Sequence, residues 1–273
     1  MLLHRVLVAL VGAPALLAII ILGGAIGNLA LFAAIAGLGL NEYYRMALKD
    51  DSKSGLLFTL MGLALFIIWG LAIPTPYIDQ LIVFSFLAAF FFIFLYILLF
   101  RPSPIETVAQ RVSASFFGLV YVPFLAFFFV LLQAFEGGWR YIVMALVIVW
   151  MSDTGAYFAG RAFGRHKLYP KVSPKKTWEG FAGGVIASVI GAVVAAKIVG
   201  IDWPTEHLIA IGGLMSIIGA LGDLCESLLK RSYGVKDSGS ILPGHGGILD
   251  RFDALLFAVP VMYYYIVLFR LMG

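Results

Sequence analysis

Nine long apolar runs, separated by short polar breaks, restrict this chain more than any other feature. They lie at about 6–24, 28–48, 55–73, 78–100, 113–134, 140–159, 179–200, 207–229 and 252–271 of 273 residues. A helix needs about 20 apolar residues to cross a bilayer, and each run is close to that length. The runs are continuous rather than alternating, which excludes a transmembrane β-barrel. Only 12% of the residues are charged and 62% are hydrophobic, where a soluble domain has roughly 25% charged residues. In water such a chain would expose large apolar patches. A soluble enzyme, a disulfide-stapled secreted scaffold and a nucleic-acid-binding module are therefore excluded. The expected fold is all-α: a polytopic integral membrane protein of about nine transmembrane helices, with no internal repeat and too little polar sequence for a separate soluble domain.

The Lys and Arg residues set an orientation. If the N-terminus is cytoplasmic, 16 of the 19 fall on that side and only Arg140, Lys197 and Arg270 on the other. The C-terminus is then expected on the opposite side. Met1–Arg5 followed by an apolar run resembles a signal peptide, but no small-residue cleavage site is evident, so an uncleaved first span is expected. Cys225 is the only cysteine, which rules out an intramolecular disulfide. A lone Cys in an apolar segment is expected to be a small packing residue.

The two long polar connections, 160–178 and 230–251, fall on the basic side and in the C-terminal half. The expected division is a scaffold of N-terminal helices over 1–140, which permits a homodimer surface, and a catalytic region over 141–273.

Ionisable residues inside spans default to functional candidates. Asp153 comes late in the sixth span, Asp223 and Glu226 late in the eighth, and Asp250 and Asp253 open the ninth. All would lie at one depth, near the long basic loops. Asp250 and Asp253 are three apart and share a helix face. With Asp223 they make an oxygen-only ligand set suited to Mg²⁺. The plainer reading is that these acids pair with Lys or Arg.

In the first loop, Ser173-Pro174 is expected to start a helix, with Ser173 as N-cap and Pro174 at the first position. A helix start beside Lys175, Lys176 and Thr177 would suit phosphate. The second loop carries Lys230, Arg231, Lys236 and Asp237, then Pro243-Gly244-His245-Gly246-Gly247, then Asp250-Arg251-Phe252-Asp253. Cations, an approachable glycine backbone and paired carboxylates together suit a metal-bound polyphosphate.

This stretch resembles the signature of the phosphatidate cytidylyltransferases, or CDP-diacylglycerol synthases. The match runs without a gap through Ser227, Lys230, Arg231, Lys236, Asp237, Gly239, Pro243, His245, Gly246, Gly247, Asp250, Arg251 and Asp253. The segments Ser152-Asp153-Thr154, Ser173–Gly180 and Gly222-Asp223-Leu224 with Glu226-Ser227 also resemble family features. The motifs cover about 150–253; over 1–140 the resemblance rests on hydropathy and length. It implies the reaction CTP + phosphatidic acid → CDP-diacylglycerol + pyrophosphate at a bacterial cytoplasmic membrane, with the site facing the cytoplasm. Asp223, Asp250 and Asp253 would hold Mg²⁺, and the resemblance adds a second, monovalent cation such as K⁺. Lys230, Arg231, Lys236 and Arg251 would clamp phosphates from one loop. Ser173, Lys175, Lys176 and Thr177 would do so from the other, with Gly246 and Gly247 supplying backbone. His245 would position a phosphate or carry a proton, and Asp153, Glu226 and Asp237 are accessory candidates.

Three rivals are weaker. A CTP-dependent polyprenol or phytol kinase shares late motifs, but the unbroken signature through Asp253 argues against it. A CDP-alcohol phosphotransferase needs D-G-x-x-A-R, which is absent. A transporter or cation channel would place its carboxylates near the midplane, often within repeats; here they gather at one face.

Overall fold

The computed structural model describes residues 2–101, 104–241 and 246–271. Its helices follow the apolar runs: α1 Leu2–Leu22, α2 Gly24–Ala47, α3 Ser52–Ala72, α4 Ile78–Phe100, α5 Val108–Leu119, α6 Leu125–Gln133, α7 Gly138–Phe163, α8 Trp178–Val199, α9 Thr205–Ser232 and α10 Leu249–Phe269. α5 and α6 belong to one span, Ile105–Gln133, so eight helical segments among the described residues are long and apolar enough to cross a membrane. α1 adds a shorter apolar stretch, Leu10–Leu22. The protein is an all-α integral membrane protein apart from one small hairpin.

Local chemistry explains the breaks. Gly24 takes φ +59° between α1 and α2, a conformation cheap only for glycine. Buried Asn28 donates to Ile20 O at 3.1 Å and Gly24 O at 2.8 Å, tying the end of α1 to the start of α2 across the kink. Asp51 caps α3, accepting from Ser54 N at 3.2 Å and Ser54 Oγ at 2.6 Å. It also pairs with Arg101 at 3.2 Å and Arg111 at 2.5 Å, joining the start of α3 to the end of α4 and to α5. Between α5 and α6, Val120–Phe124 forms a π-turn that contains Pro123. Proline cannot donate a hydrogen bond and crowds the preceding turn; the wider turn absorbs both effects, and such turns mark functional sites disproportionately.

Helix association in lipid rests on close packing and small residues. The α7–α8 pair shows this. A Cβ on Gly180 would sit 2.9 Å from Ala156 O, and one on Gly184 would sit 3.0 Å from Ser152 O. Between these helices, β1 (Lys167–Tyr169) pairs antiparallel with β2 (Ser173–Thr177).

This hairpin corrects the expected helix start. Ser173 is not an N-cap, and Pro174 lies in a strand. α8 begins four residues later than Pro174, with Thr177 as N-cap in extended backbone, its side chain accepting from Gly180 N at 3.1 Å. Thr177 pairs with Lys167 across the hairpin, and this pairing wins over the local Ser-Pro signal. Glu179 fastens the base, accepting from Arg165 N at 3.1 Å and His166 Nδ1 at 2.6 Å. Cys225 is exposed, so it is not the interior packing residue expected of it.

Candidate active site

A cavity of about 410 Å³ lies among α7, the hairpin, α8 and α9, reaching Ala254 on α10. Its polar lining includes Asp153, Lys175, Lys176, Thr177 and Asp223. The first long loop and the four helices α7 to α10 thus meet at one place. Lys176 Nζ lies 2.5 Å from Asp223 Oδ2. Asp153 shares the charges of Asp223, Lys176 and Arg251. Ser152 and Ser216 close the α7–α9 wall through hydroxyls 2.7 Å apart.

Beside the cavity, α9 and α10 approach closely at Gly222, where a Cβ would meet Asp253 O at 2.9 Å. The glycine brings Asp253 near enough to Asp223 and Glu226 for their charges to interact. Asp253 Oδ1 accepts from Ala254 N at 2.7 Å.

Lys230 differs most from expectation. It is not a surface cation but is buried, 8% exposed. Its ammonium bridges Glu226 and Asp250, reaching Asp250 Oδ1 at 2.5 Å. Asp250 Oδ2 accepts from Ser238 N at 3.0 Å and Gly247 N at 2.8 Å. Asp250 therefore organises the second loop while Asp253 faces the other acids. Gly246, at φ +84°, supplies the left-handed turn that lets Gly247 N reach Asp250. A Cβ there would also crowd Asp250 Oδ2 at 2.6 Å.

The rest of the expected set is scattered by comparison. Arg231 is exposed and donates to Val235 O at 3.0 Å. Lys236 and Asp237 are exposed. Arg251 is exposed and interacts with Asp153. His245 lies outside the described residues. Among the described residues, no three His, Cys, Asp or Glu side chains converge as a ready metal cluster. Asp223 and Asp250 are paired with lysines, as the plainer reading had it.

Two residues escaped sequence reasoning. Tyr121, on the π-turn, is buried with a phenolic hydroxyl that finds no partner among the described residues. It stands near Glu226, Asp253 and Asp223; Pro123 within an apolar run was its only signal. The other is Glu42 on α2, 2% exposed. An acid inside the second apolar run is the same signal that singled out Asp153.

Fold and cavity together define an integral membrane protein in which charged side chains of several helix ends gather around one cavity. The sequence matches the cytidylyltransferase family over residues 3–269, and the chain belongs to that family, whose members are nucleotidyltransferases. It is 38% identical over 262 residues to a phosphatidate cytidylyltransferase of Staphylococcus haemolyticus, covering 94% of this chain and 96% of that one. The corresponding protein of Staphylococcus aureus (strain COL) is 37% identical over the same shares. A phosphatidate cytidylyltransferase of Bacillus subtilis is 50% identical over 132 residues, an alignment that takes in about half of each chain, 48% and 49%.

Proposed function

We propose that this chain is a phosphatidate cytidylyltransferase, joining CTP to phosphatidic acid and releasing pyrophosphate. The observation that carries this reading is the Lys176–Asp223 pair lining a cavity that also holds Lys175 and Asp153. Cations for phosphate stand against acids suited to a cation, at the ends of spans, where a lipid headgroup and a water-borne nucleotide can meet. Similarity along nearly the whole chain to proteins of that name supports it.

In the proposed reaction, a phosphate oxygen of phosphatidate attacks the α-phosphorus of CTP. The bond from that phosphorus to the oxygen bridging the β-phosphate breaks, and pyrophosphate leaves with the electron pair. The attacking phosphate is already anionic at neutral pH, so it needs little help from a base. Such transfers depend mainly on positioning and charge neutralisation. Lys175, Lys176, Arg231, Lys236 and Arg251 supply positive charge, and Lys175 to Thr177 of the hairpin line the cavity. Lys230 acts through others, holding Asp250 and Glu226 in place.

The donor set fits a hard divalent cation. The available groups are carboxylates; Asp223, Glu226 and Asp253 crowd one another, Asp250 stands beside them on the same helix as Asp253, and Glu226 Oε1 is buried without a hydrogen bond among the described residues. Asp223, Asp250 and Asp253 are the residues we assign to Mg²⁺, with a monovalent ion such as K⁺ as a second occupant of the same group. When bound, the metal would neutralise phosphate oxygens. Lys176 currently occupies one of these carboxylates, that of Asp223; once released, its ammonium group is available to phosphate. The segregation of Lys and Arg supports a site facing the cytoplasm, and bacterial relatives support a bacterial cytoplasmic membrane.

The test is a magnesium-dependent assay with purified protein, phosphatidate and CTP labelled at the α- or the γ-phosphate. Label should enter lipid from the α position only. Transfer from the γ position would instead mark a lipid kinase, and no transfer from either would refute the proposal.

A further inference from the structure

Glu42 is 196 to 207 residues from the groups among the described residues that its carboxyl binds outside its own helix. Its Oε2 accepts from Ser238 Oγ at 3.0 Å and Leu249 N at 2.9 Å; its Oε1 accepts from Ile248 N at 3.0 Å. Ile248 is the N-cap of α10 and Leu249 its first residue. The first amides of a helix have no partner within it, and an acid there also suits the helix dipole. In most helices a neighbouring side chain fills this role. Here it falls to a side chain from the second helix, reaching across the fold.

The fit is tight. A Cβ on Gly239 would lie 2.5 Å from Glu42 Oε1, and one on Gly247 would collide with the same carboxyl and with Ser238 Oγ. Both glycines lie within the signature segment; Glu42 at Gly239, and Glu42 together with Ser238 at Gly247, leave neither position room for a side chain. Ser238, which Glu42 holds by its hydroxyl, donates its backbone N–H to Asp250. Gly247 donates to Asp250 as well. Glu42 therefore controls the segment that fixes Asp250 and, through Asp250, Lys230. The adjacent Tyr43 strengthens the same junction: its hydroxyl lies 3.3 Å from that of Tyr233, at the end of α9.

We infer that Glu42 is a positioning residue for the nucleotide end of the site, clamping Ser238 and the start of α10 at Ile248 and Leu249 to α2 so that Asp250 and Asp253 enter the site at a fixed angle. This rests on the proposed cytidylyltransferase reading for its kinetic consequence, but not for the clamp itself. Glu42→Gln keeps the size of the side chain and replaces an accepting oxygen with an NH₂ group, which faces an N–H donor. Ser238→Ala removes one of the three bonds without altering Glu42.

The full-length protein in detergent is tested in two ways. The first is hydrogen–deuterium exchange of the backbone at Ile248 and Leu249. Glu42→Gln should speed it by about tenfold or more, with exchange in α3 and α8 unchanged. The second is steady-state kinetics. Glu42→Gln should lower kcat/KM for CTP by about tenfold or more and leave KM for phosphatidate within about twofold. Ser238→Ala should give a smaller loss of the same kind. General unfolding would instead depress both substrates together and speed exchange throughout. Unchanged exchange at Ile248 and Leu249 would overturn the clamp. Faster exchange with wild-type CTP kinetics would overturn the positioning role. If the wild-type protein turns over no CTP, the functional reading fails, and the exchange measurement still decides the clamp.

Discussion

Lys176 in the hairpin and Asp223 in α9 meet across the cavity with Nζ 2.5 Å from Oδ2. Each side chain is about one-third exposed, 29% and 32%, so the pair adds little stability, on the order of 1 kcal/mol or less. Its importance is chemical. Lys176→Met should leave thermal unfolding nearly unchanged and reduce kcat/KM for CTP by about 100-fold. Asp223→Asn should abolish the response to magnesium while the protein still folds. Wild-type kinetics in both variants would remove this pair from the site.

Lys230 calls for the opposite pattern. It is buried between Glu226 and Asp250. Removing one member of a buried ionic group leaves charge uncompensated, typically at a cost of about 3–5 kcal/mol. Lys230→Met should therefore unfold at clearly lower temperature, and adding Glu226→Gln should recover part of the loss. A variant that unfolds like wild type but has lost affinity for CTP would make Lys230 a direct phosphate ligand instead.

Asp51 provides a pH test away from the cavity. Burial pushes its carboxyl up, but hydrogen bonds from Ser54 and the charges of Arg101 and Arg111 outweigh this and hold it below the usual carboxylate range. A depressed folded-state value means stability that is present above the unfolded value, near 3.9, and lost as pH falls through the folded one. Thermal stability in detergent should drop as pH is lowered below about 4, and Asp51→Asn should flatten that part of the profile. Identical profiles for the two proteins would show that Asp51 is not responsible.

The glycine contact between α7 and α8 should matter for catalysis as well as assembly. At Gly184 an added Cβ would lie 3.0 Å from Ser152 O and 3.3 Å from Ala156 Cβ. Gly184→Val should separate the helices, cost about 1–3 kcal/mol and displace Asp153, which follows Ser152. Gly213→Ala is the control, since nothing lies within 4 Å of its added Cβ; it should keep wild-type stability and activity. Equal behaviour of the two variants would contradict the packing account.

The spans were legible because each must bury about 20 apolar residues in lipid, a demand written into composition alone. The acids of α7, α9 and α10 were legible for the complementary reason, that charge within such a run is costly. Ser173 misled because a local Ser-Pro signal competes with strand pairing to Lys167, and pairing is not a local property. Lys230 misled because sequence shows that a cation lies near a helix end but not which way it turns; buried acids drew it inward. Glu42 carried the same signal as Asp153, but its partners lie some two hundred residues away. Tyr121 depends on the phase of a widened turn, which hydropathy does not encode.

The clamp at Glu42 also bears on the order in which the protein is made. The ribosome delivers Glu42 206 residues before Ile248, which at about 5–20 residues per second is roughly 10–40 s. Throughout that interval, a carboxyl destined for the interior has none of its distant partners. An unpartnered carboxyl is costly to bury, which favours early helices that stay loosely assembled, or keep a watery path to Glu42, until α10 arrives. Insertion of α10 is then the event that closes the N-terminal bundle, and the same event completes the acidic cluster. A nascent chain would acquire its stability and its site together.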